Sequence, residues 1–413
     1  MIRYLLDEEK GESRELWEEA FPEDSRSFAD YYFKEKIKDN RILVLEEEIP
    51  ETGMEHGRIA SMIHLNPYWI RAAGERWKVD YLVGVATRKD RRHRGYMRSL
   101  LNRMMEDMRN EEMPFCFLMP ADAAIYRPFG FTYIYGQPCV DVKAGVVLEE
   151  REILAGRSEE DAGRRDGRNQ AETLGRMGTP EVPGMLKVPG VSEMPRVSEL
   201  PGMSQVSEIT NMPDLPRLSA WMNDWLGSRY EVFAIRDEDY VCRLLKEIAS
   251  ENGNFRLLYD QGNLVGMRSE WGLEKREQRL LYGENSYVEE IAPPKPAIMA
   301  RIITPEKFVR AIRLDEAYAG EQMTICLEIR DPLIRQNDCL WKWHLDHGTS
   351  WMEPWSVSWN RSQTEPEGER NITLTIEELT FWLFGYGIPE AVEAAGLEHV
   401  VRTLRGVFLD EIV

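Results

Sequence analysis

The segment Arg88-Lys-Asp-Arg-Arg-His-Arg-Gly95 holds the most informative chemistry in this sequence. Arg88, Lys89, Arg91, Arg92 and Arg94 crowd five cations into one short stretch of a chain whose formal net charge is −20. They stand at the start of a helical pattern, where the helix dipole disfavours positive charge by roughly 0.3–1 kcal/mol each. A bound anion would reverse the sign of that cost. Helix N-termini already present unpaired N–H groups to such an anion, and Gly95 has no side chain to obstruct approach to the backbone. The combination suits a pyrophosphate; a solvated basic turn before an ordinary amphipathic helix is the other reading of the same residues.

The elements that would position this loop follow from periodicity. Tyr81-Leu-Val-Gly-Val-Ala-Thr87 ends a strand that runs over 78–86, and Met97, Leu100, Leu101, Met104, Met105 and Met108 recur at helical spacing after the loop. Upstream, 2–5, 42–45 and 58–68 read as strands and 12–20 and 28–38 as helices; downstream, Pro114 precedes the apolar strand Phe115-Cys-Phe-Leu-Met119. Alternation of this kind predicts an α/β domain over 1–150.

No aromatic residue occurs between Tyr135 and Trp221, and within that interval Val188-Pro-Gly-Val-Ser-Glu193, Met194-Pro-Arg-Val-Ser-Glu199 and Leu200-Pro-Gly-Met-Ser-Gln205 repeat with proline in every sixth place. Residues 156–202 are therefore expected to be a mobile insertion, with a short β-helix as the structured alternative. A globular pattern resumes with a strand over 205–210, helices over 218–226 and 240–250, and strands over 255–259 and 264–270. Ala292-Pro-Pro-Lys-Pro296 reads as the next boundary. The last segment holds Trp341, Trp343, Trp351, Trp355, Trp359 and Trp382 and ends with helices over 376–384 and 389–395, an α+β unit. The tryptophans serve as core and interface residues or line a lipid pocket.

Composition narrows the function classes. A chain of 413 residues suggests two or three domains, and 43% hydrophobic residues supply their cores. The N-terminus Met1-Ile-Arg-Tyr-Leu-Leu-Asp-Glu-Glu9 has no signal-peptide core, and no stretch approaches the roughly 20 apolar residues of a membrane span, so the expected location is cytoplasmic. Cys116, Cys139, Cys242, Cys326 and Cys339 are scattered without CxxC spacing, which indicates free thiols. His344 and His347 lack a clustered third ligand, so no metal is expected. The acidic charge disfavours nucleic acid and suits a cationic partner.

Arg92-His-Arg-Gly-Tyr-Met97 resembles the Arg/Gln-x-x-Gly-x-Gly/Ala loop by which GNAT acetyltransferases bind acyl-CoA, with Met97 in place of the small third residue. Pro120-Ala-Asp-Ala-Ala-Ile-Tyr-Arg-Pro-Phe-Gly-Phe131 resembles the element that follows the fifth strand of that superfamily. Together with a second, weaker GNAT-like region and the segments Met299–Ile302 and Ile325–Ile334, the chain resembles the Eis (enhanced intracellular survival) family.

The resemblance implies an α/β (α+β) architecture: a GNAT domain over 1–150, a second GNAT-like domain over 151–292 containing the insertion, and a sterol-carrier-protein-like domain over 293–413. It implies acetyl-CoA as co-substrate and transfer to an amine of a cationic small molecule or a lysine. Val85, Ala86 and Thr87 would hold the pantetheine arm and the thioester, and Arg91, Arg92, Gly95, Tyr96 and Met97 would meet the pyrophosphate. Tyr126 would protonate the thiolate, the terminal carboxylate of Val413 would act as base, and Asp24, Asp410 and Glu411 would contact a cationic acceptor. A homo-oligomer such as a hexamer is also implied. A lipid carrier on a GNAT-like scaffold and a transferase for longer acyl-CoAs are the competing readings.

Overall fold

The computed structural model describes residues 1–47, 57–154, 214–273, 278–355 and 370–411. The expected insertion at 156–202, the strand at 205–210 and Val413 lie outside the described residues. Contacts divide the chain into two compact units, one of 1–144, 215–243 and 288–413 and the other of 145–214 and 244–287. Compactness thus joins the first and last of the three expected segments.

The first unit is built on a nine-stranded sheet. Its early strands are β1 (Ile2–Tyr4), β2 (Arg41–Glu47), β3 (Arg58–Ala72), β4 (Glu75–Thr87), β5 (Phe115–Leu118) and β6 (Thr132–Val142). The second unit contributes β7 (Glu149–Leu154) to its own sheet, and β8 (Val232–Ala234) returns to the first. In the second unit β9 (Asn254–Asp260), β10 (Asn263–Trp271) and β11 (Gln278–Gly283) complete a four-stranded antiparallel sheet in the order β11-β10-β9-β7.

The long strand β12 (Val288–Ile302) lies between β5 and β6, antiparallel to both. It contains the segment Ala292–Pro296 that the sequence pattern marks as an interruption. The strand survives its prolines because the register with β6 shifts between Glu290 and Ala292, between Ala292 and Lys295 and again after Pro296. A proline that cannot donate to a ladder is tolerated at such irregularities.

The remaining strands are β13 (Arg313–Leu314), β14 (Met323–Arg330), β15 (Leu340–Leu345), β16 (Ser350–Pro354), β17 (Arg370–Thr375), β18 (Val401–Arg402) and β19 (Val407–Phe408). A four-stranded sheet in the order β16-β15-β14-β17 carries the C-terminal segment, and β19 pairs in parallel with β8, which pairs with β3.

Helices α1 (Arg14–Ala20), α2 (Arg26–Glu35), α3 (Tyr96–Asn110), α4 (Ala123–Tyr126), α5 (Leu215–Gly227), α6 (Glu238–Ser250), α7 (Pro305–Phe308), α8 (Ile376–Leu383) and α9 (Glu390–Ala394) complete the described elements. Ser25 caps α2 by accepting the Phe28 amide at 3.0 Å, and Thr375 with Glu378 forms a capping box on α8. Leu100, Leu101, Met104, Met105 and Met108 of α3 are all fully buried, as their spacing predicts. Trp341, Trp343 and Trp382 fill the C-terminal core. His344 stacks on Trp351 at 4.1 Å. Among the described residues no helix is long and apolar enough to cross a membrane.

Beneath α1 and α2, Trp17 stacks on Tyr32 at 4.4 Å and both rings pack on His64 of β3. The fully buried imidazole shares a hydrogen bond with the Tyr32 hydroxyl at 3.2 Å through Nδ1, and Tyr32 also donates to Asn66. Burial, with the Lys10 ammonium nearby, pushes the His64 pKa down from 6.5 to about 3. The folded protein therefore keeps this ring neutral while the unfolded chain protonates it. The neutral ring's contribution is complete above pH 6.5 and is lost as pH falls from there toward 3, by roughly 2–3 kcal/mol at pH 4.5. Denaturant titrations of wild type and His64→Asn at pH 7 and 4.5 check this: the acid-induced loss of stability is expected to be smaller by about that amount in the variant.

Candidate active site

The site forms where two parallel strands part. β4 pairs with β5 only at Tyr81–Phe117 and Leu82–Leu118. Beyond Leu82, β4 continues to Thr87 with no strand beside that edge among the described residues. On its other side β4 bulges against β3: Met62 faces Ala86 and His64 faces Val83, so Gly84 and Val85 oppose a single residue. Gly84 is required there twice over, by its φ of +57° and by Trp17, whose ring carbon would lie 2.5 Å from an added Cβ. The bulge ends in Val85, Ala86 and Thr87, the expected thioester strand. Ser61 holds this stretch by donating to the Ala86 carbonyl and bonding the Thr87 hydroxyl, each at 2.8 Å.

The basic loop that follows is sorted by burial. Arg88 points inward, donating to the Ile59 carbonyl at 2.7 Å and pairing with Glu19 at 2.8 Å, so this cation fixes the loop. Arg91 is paired with Glu47 at 2.6 Å and with Asp90 at 2.7 Å, and the Tyr96 hydroxyl donates to the same Glu47 carboxylate. Glu47 is held below the usual carboxylate range by the Tyr96 hydroxyl first and Arg91 second. Hence the side chains of Arg91 and Tyr96, both half-buried, are already engaged by Glu47, while Arg92 and Arg94 are exposed, with Arg92 Nε 3.3 Å from the Thr87 carbonyl oxygen. Gly95 precedes α3 with φ +79°, and among the described residues no side chain caps the helix or places a carboxylate in its first turn. Met97 in that turn is half-buried. The first amides of α3 thus stand open beside two exposed guanidiniums, an arrangement suited to a phosphate group.

Tyr126 ends α4, whose first turn is capped by Asp122. Its ring is 8% exposed and meets Phe131 edge-on at 6.0 Å. Burial pushes its pKa up to about 12, and among the described residues no group hydrogen-bonds its hydroxyl. Arg98 of α3 stacks over Phe129 at 4.9 Å and ties the Tyr126 turn to the helix start.

Asp24 accepts the Trp17 indole N–H at 2.8 Å, which places it one side chain from the bulge; burial raises its pKa. Asp410 and Glu411, the other two expected acceptor contacts, lie at the last described residues. Both carboxylates are buried and paired with the wholly buried Arg236 guanidinium, and Glu411 accepts a further bond from Tyr240 at 3.1 Å. They anchor the chain's last described residues. Tyr240 in turn meets Tyr68 at 6.4 Å, and Tyr68 meets both Tyr81 and Phe117 at 6.0 Å, the pair next to the last one before β4 and β5 separate. A row of aromatic rings thus connects the C-terminal anchor to the site. Nothing local in the sequence marks Arg236, Tyr240, Tyr68 or Glu47, whereas Gly84 within a strand is a legible sign of a bulge.

Comparison with known proteins agrees with this geometry. Residues 1–134 match the acetyltransferase (GNAT) domain and residues 305–408 the sterol carrier protein domain. No curated protein matches the chain significantly. Solved structures similar over the whole chain include a conserved protein of Enterococcus faecalis described as a probable N-acyltransferase, with TM-score 0.63 and 14% identity, covering 100% of this chain and 99% of the other. Eis1 of Mycobacterium abscessus gives 0.59 and 12%, covering 100% and 99%. A GCN5-related N-acetyltransferase of Kribbella flavida gives 0.59 and 13%, covering 100% and 98%. The chain thus carries a GNAT acetyltransferase domain over 1–134 and a sterol carrier protein domain over 305–408, and its fold is Eis-like along its whole length.

Proposed function

We propose that this protein transfers the acetyl group of acetyl-CoA to a primary amine of a cationic small molecule or a lysine side chain. The observation that carries the reading is the open edge of β4 beyond Leu82, flanked by the uncapped start of α3 and by the Tyr126 turn. In this reading Arg92 and Arg94, with the backbone of Gly95, Tyr96 and Met97, hold the pyrophosphate, and Arg91 shapes the loop through Glu47. The backbone of Val85 and Thr87 binds the pantetheine arm and polarises the thioester carbonyl. The amine nitrogen attacks that carbonyl, the C–S bond breaks, and the amine's surplus proton passes to the Val413 carboxylate, directly or through one water.

Tyr126 serves the departing sulfur. With a pKa of about 12 it keeps its proton throughout the neutral range. It is also a weaker acid than a thiol of pKa about 8.5, so its main contribution is a hydrogen bond that strengthens as charge develops on sulfur. Asp24 supplies an acidic contact for a cationic acceptor, while Arg236 and its two carboxylate partners hold the last described residues in place. A second GNAT-like region over 151–292, assembly as a homo-oligomer such as a hexamer and a cytoplasmic location belong to the same proposal.

Charge-assisted bonds to phosphate are worth roughly 1.5–3 kcal/mol each. Isothermal titration of Arg92→Ala with acetyl-CoA should therefore show at least about a tenfold loss of affinity, and Arg91→Ala a smaller one because its partner is Glu47. Unchanged affinity in a folded Arg92→Ala protein would remove the pyrophosphate assignment. Including longer acyl-CoAs in the titration tests the competing donor.

Extending the chain by one glycine after Val413 displaces the carboxylate without touching the described fold. Steady-state kcat with a polyamine or aminoglycoside acceptor is expected to fall by roughly 10²–10⁴ while acetyl-CoA affinity survives. Full activity in the extended chain would redirect the search for a base to an internal carboxylate.

A further inference from the structure

We propose that Arg301 is a positioning residue through which the sterol-carrier-protein domain sets the turn that carries Tyr126. The proposal rests on the reading of Tyr126 as the group serving the departing sulfur. Arg301 lies on β12 and is wholly buried. Its Nη2 bonds both carboxylate oxygens of Asp331 at 2.7 Å, and its Nη1 donates to the Phe129 carbonyl at 2.7 Å. One guanidinium therefore bridges the C-terminal domain and the turn just after Tyr126.

Both ends of this bridge are fixed. Asp331 is buried and accepts the amides of Leu333 and Ile334 at 3.2 Å each and the Asn337 side-chain N–H at 2.9 Å. Asn337 also donates to the Ile303 carbonyl at 3.0 Å, next to the strand that carries Arg301. At the other end the turn Arg127–Phe129 follows Tyr126 directly and closes with the Gly130 amide on the Arg127 carbonyl at 2.9 Å. Gly130 leaves no slack, for an added Cβ would collide with the Arg301 guanidinium and lie 2.8 Å from Ile376 of α8.

Stability alone does not require a guanidinium here. A buried ion pair is often matched or bettered by apolar residues of similar volume, whereas directed bonds fix geometry that apolar packing leaves looser. The bond to the Phe129 carbonyl fixes the backbone three residues beyond Tyr126. An error of about 1 Å at a reacting group costs on the order of 10² in rate, so a small relaxation of this turn would appear in kcat before it appeared in binding.

The test compares Arg301→Lys and Asp331→Asn in the full-length protein, each alone and combined with Tyr126→Phe. Arg301→Lys keeps a cation opposite Asp331 but lacks the fork that also reaches Phe129, so it is the variant expected to stay folded; thermal melts set the assay temperature. Expected are a fall in kcat of about 10- to 100-fold, acetyl-CoA affinity within about threefold of wild type, and a change of less than about twofold when the same substitutions are made in Tyr126→Phe. If the losses multiply with that of Tyr126→Phe, or if affinity falls as much as kcat, the positioning role is overturned while Tyr126 keeps its own. If Tyr126→Phe alone leaves kcat unchanged, the reading of Tyr126 falls and this proposal with it.

Discussion

Everything in the first unit depends on how the two edges of β5 are satisfied. This strand is four residues long and wholly buried, and buried backbone N–H and C=O groups must be paired. β4 pairs with it at only two positions before leaving, which opens the space in which the transfer is proposed to occur. The other edge is closed by β12, a strand from the far side of the second unit's chain segment. A gap on one side of β5 is tolerable because pairing on the other is secure. The C-terminal domain is accordingly part of the framework of the proposed site, since the same strand that completes the sheet leads directly into it.

Long-range pairing also explains how side-chain charge is distributed. Of the five cations in the basic loop, Arg88 is drawn into the core by Glu19 and Ile59, Arg91 is neutralised by Glu47, and Lys89, Arg92 and Arg94 remain at the surface. Burying a guanidinium is costly unless its bonds are satisfied, and both Arg88 and Arg301 spend theirs on backbone carbonyls as well as carboxylates. The same economy operates at Arg236, whose two carboxylate partners come from adjacent residues near the chain end.

Local signals were legible where the physics is local. The apolar stripe of α3, the strands β3 and β4, the basic loop and the Tyr126 turn were all read within a residue or a few of their observed limits, because periodicity, capping and turn chemistry act over short distances. Burial of Arg88 was not legible, since Glu19 and Ile59 lie far away in sequence, and the pairing of Asp410 and Glu411 with Arg236 was hidden for the same reason. The proline-rich segment 292–296 was read as a break because proline usually ends a strand. It became part of one because the register with β6 shifts between Ala292 and Lys295, which leaves Pro293 and Pro294 outside the pairing while Ala292, Lys295 and Pro296 still face Cys139, Gln137 and Gly136.

The position of β12 and β19 in the sheet has a consequence for biosynthesis. A ribosome delivers β5 long before β12, and β3 and β8 long before β19, so the emerging N-terminal half carries apolar strands whose neighbours do not yet exist. Such high contact order slows folding and exposes unpaired edges to other nascent chains. Until β12 and β19 have emerged those edges stay unpaired and need shelter, and the sheet then closes late and all at once.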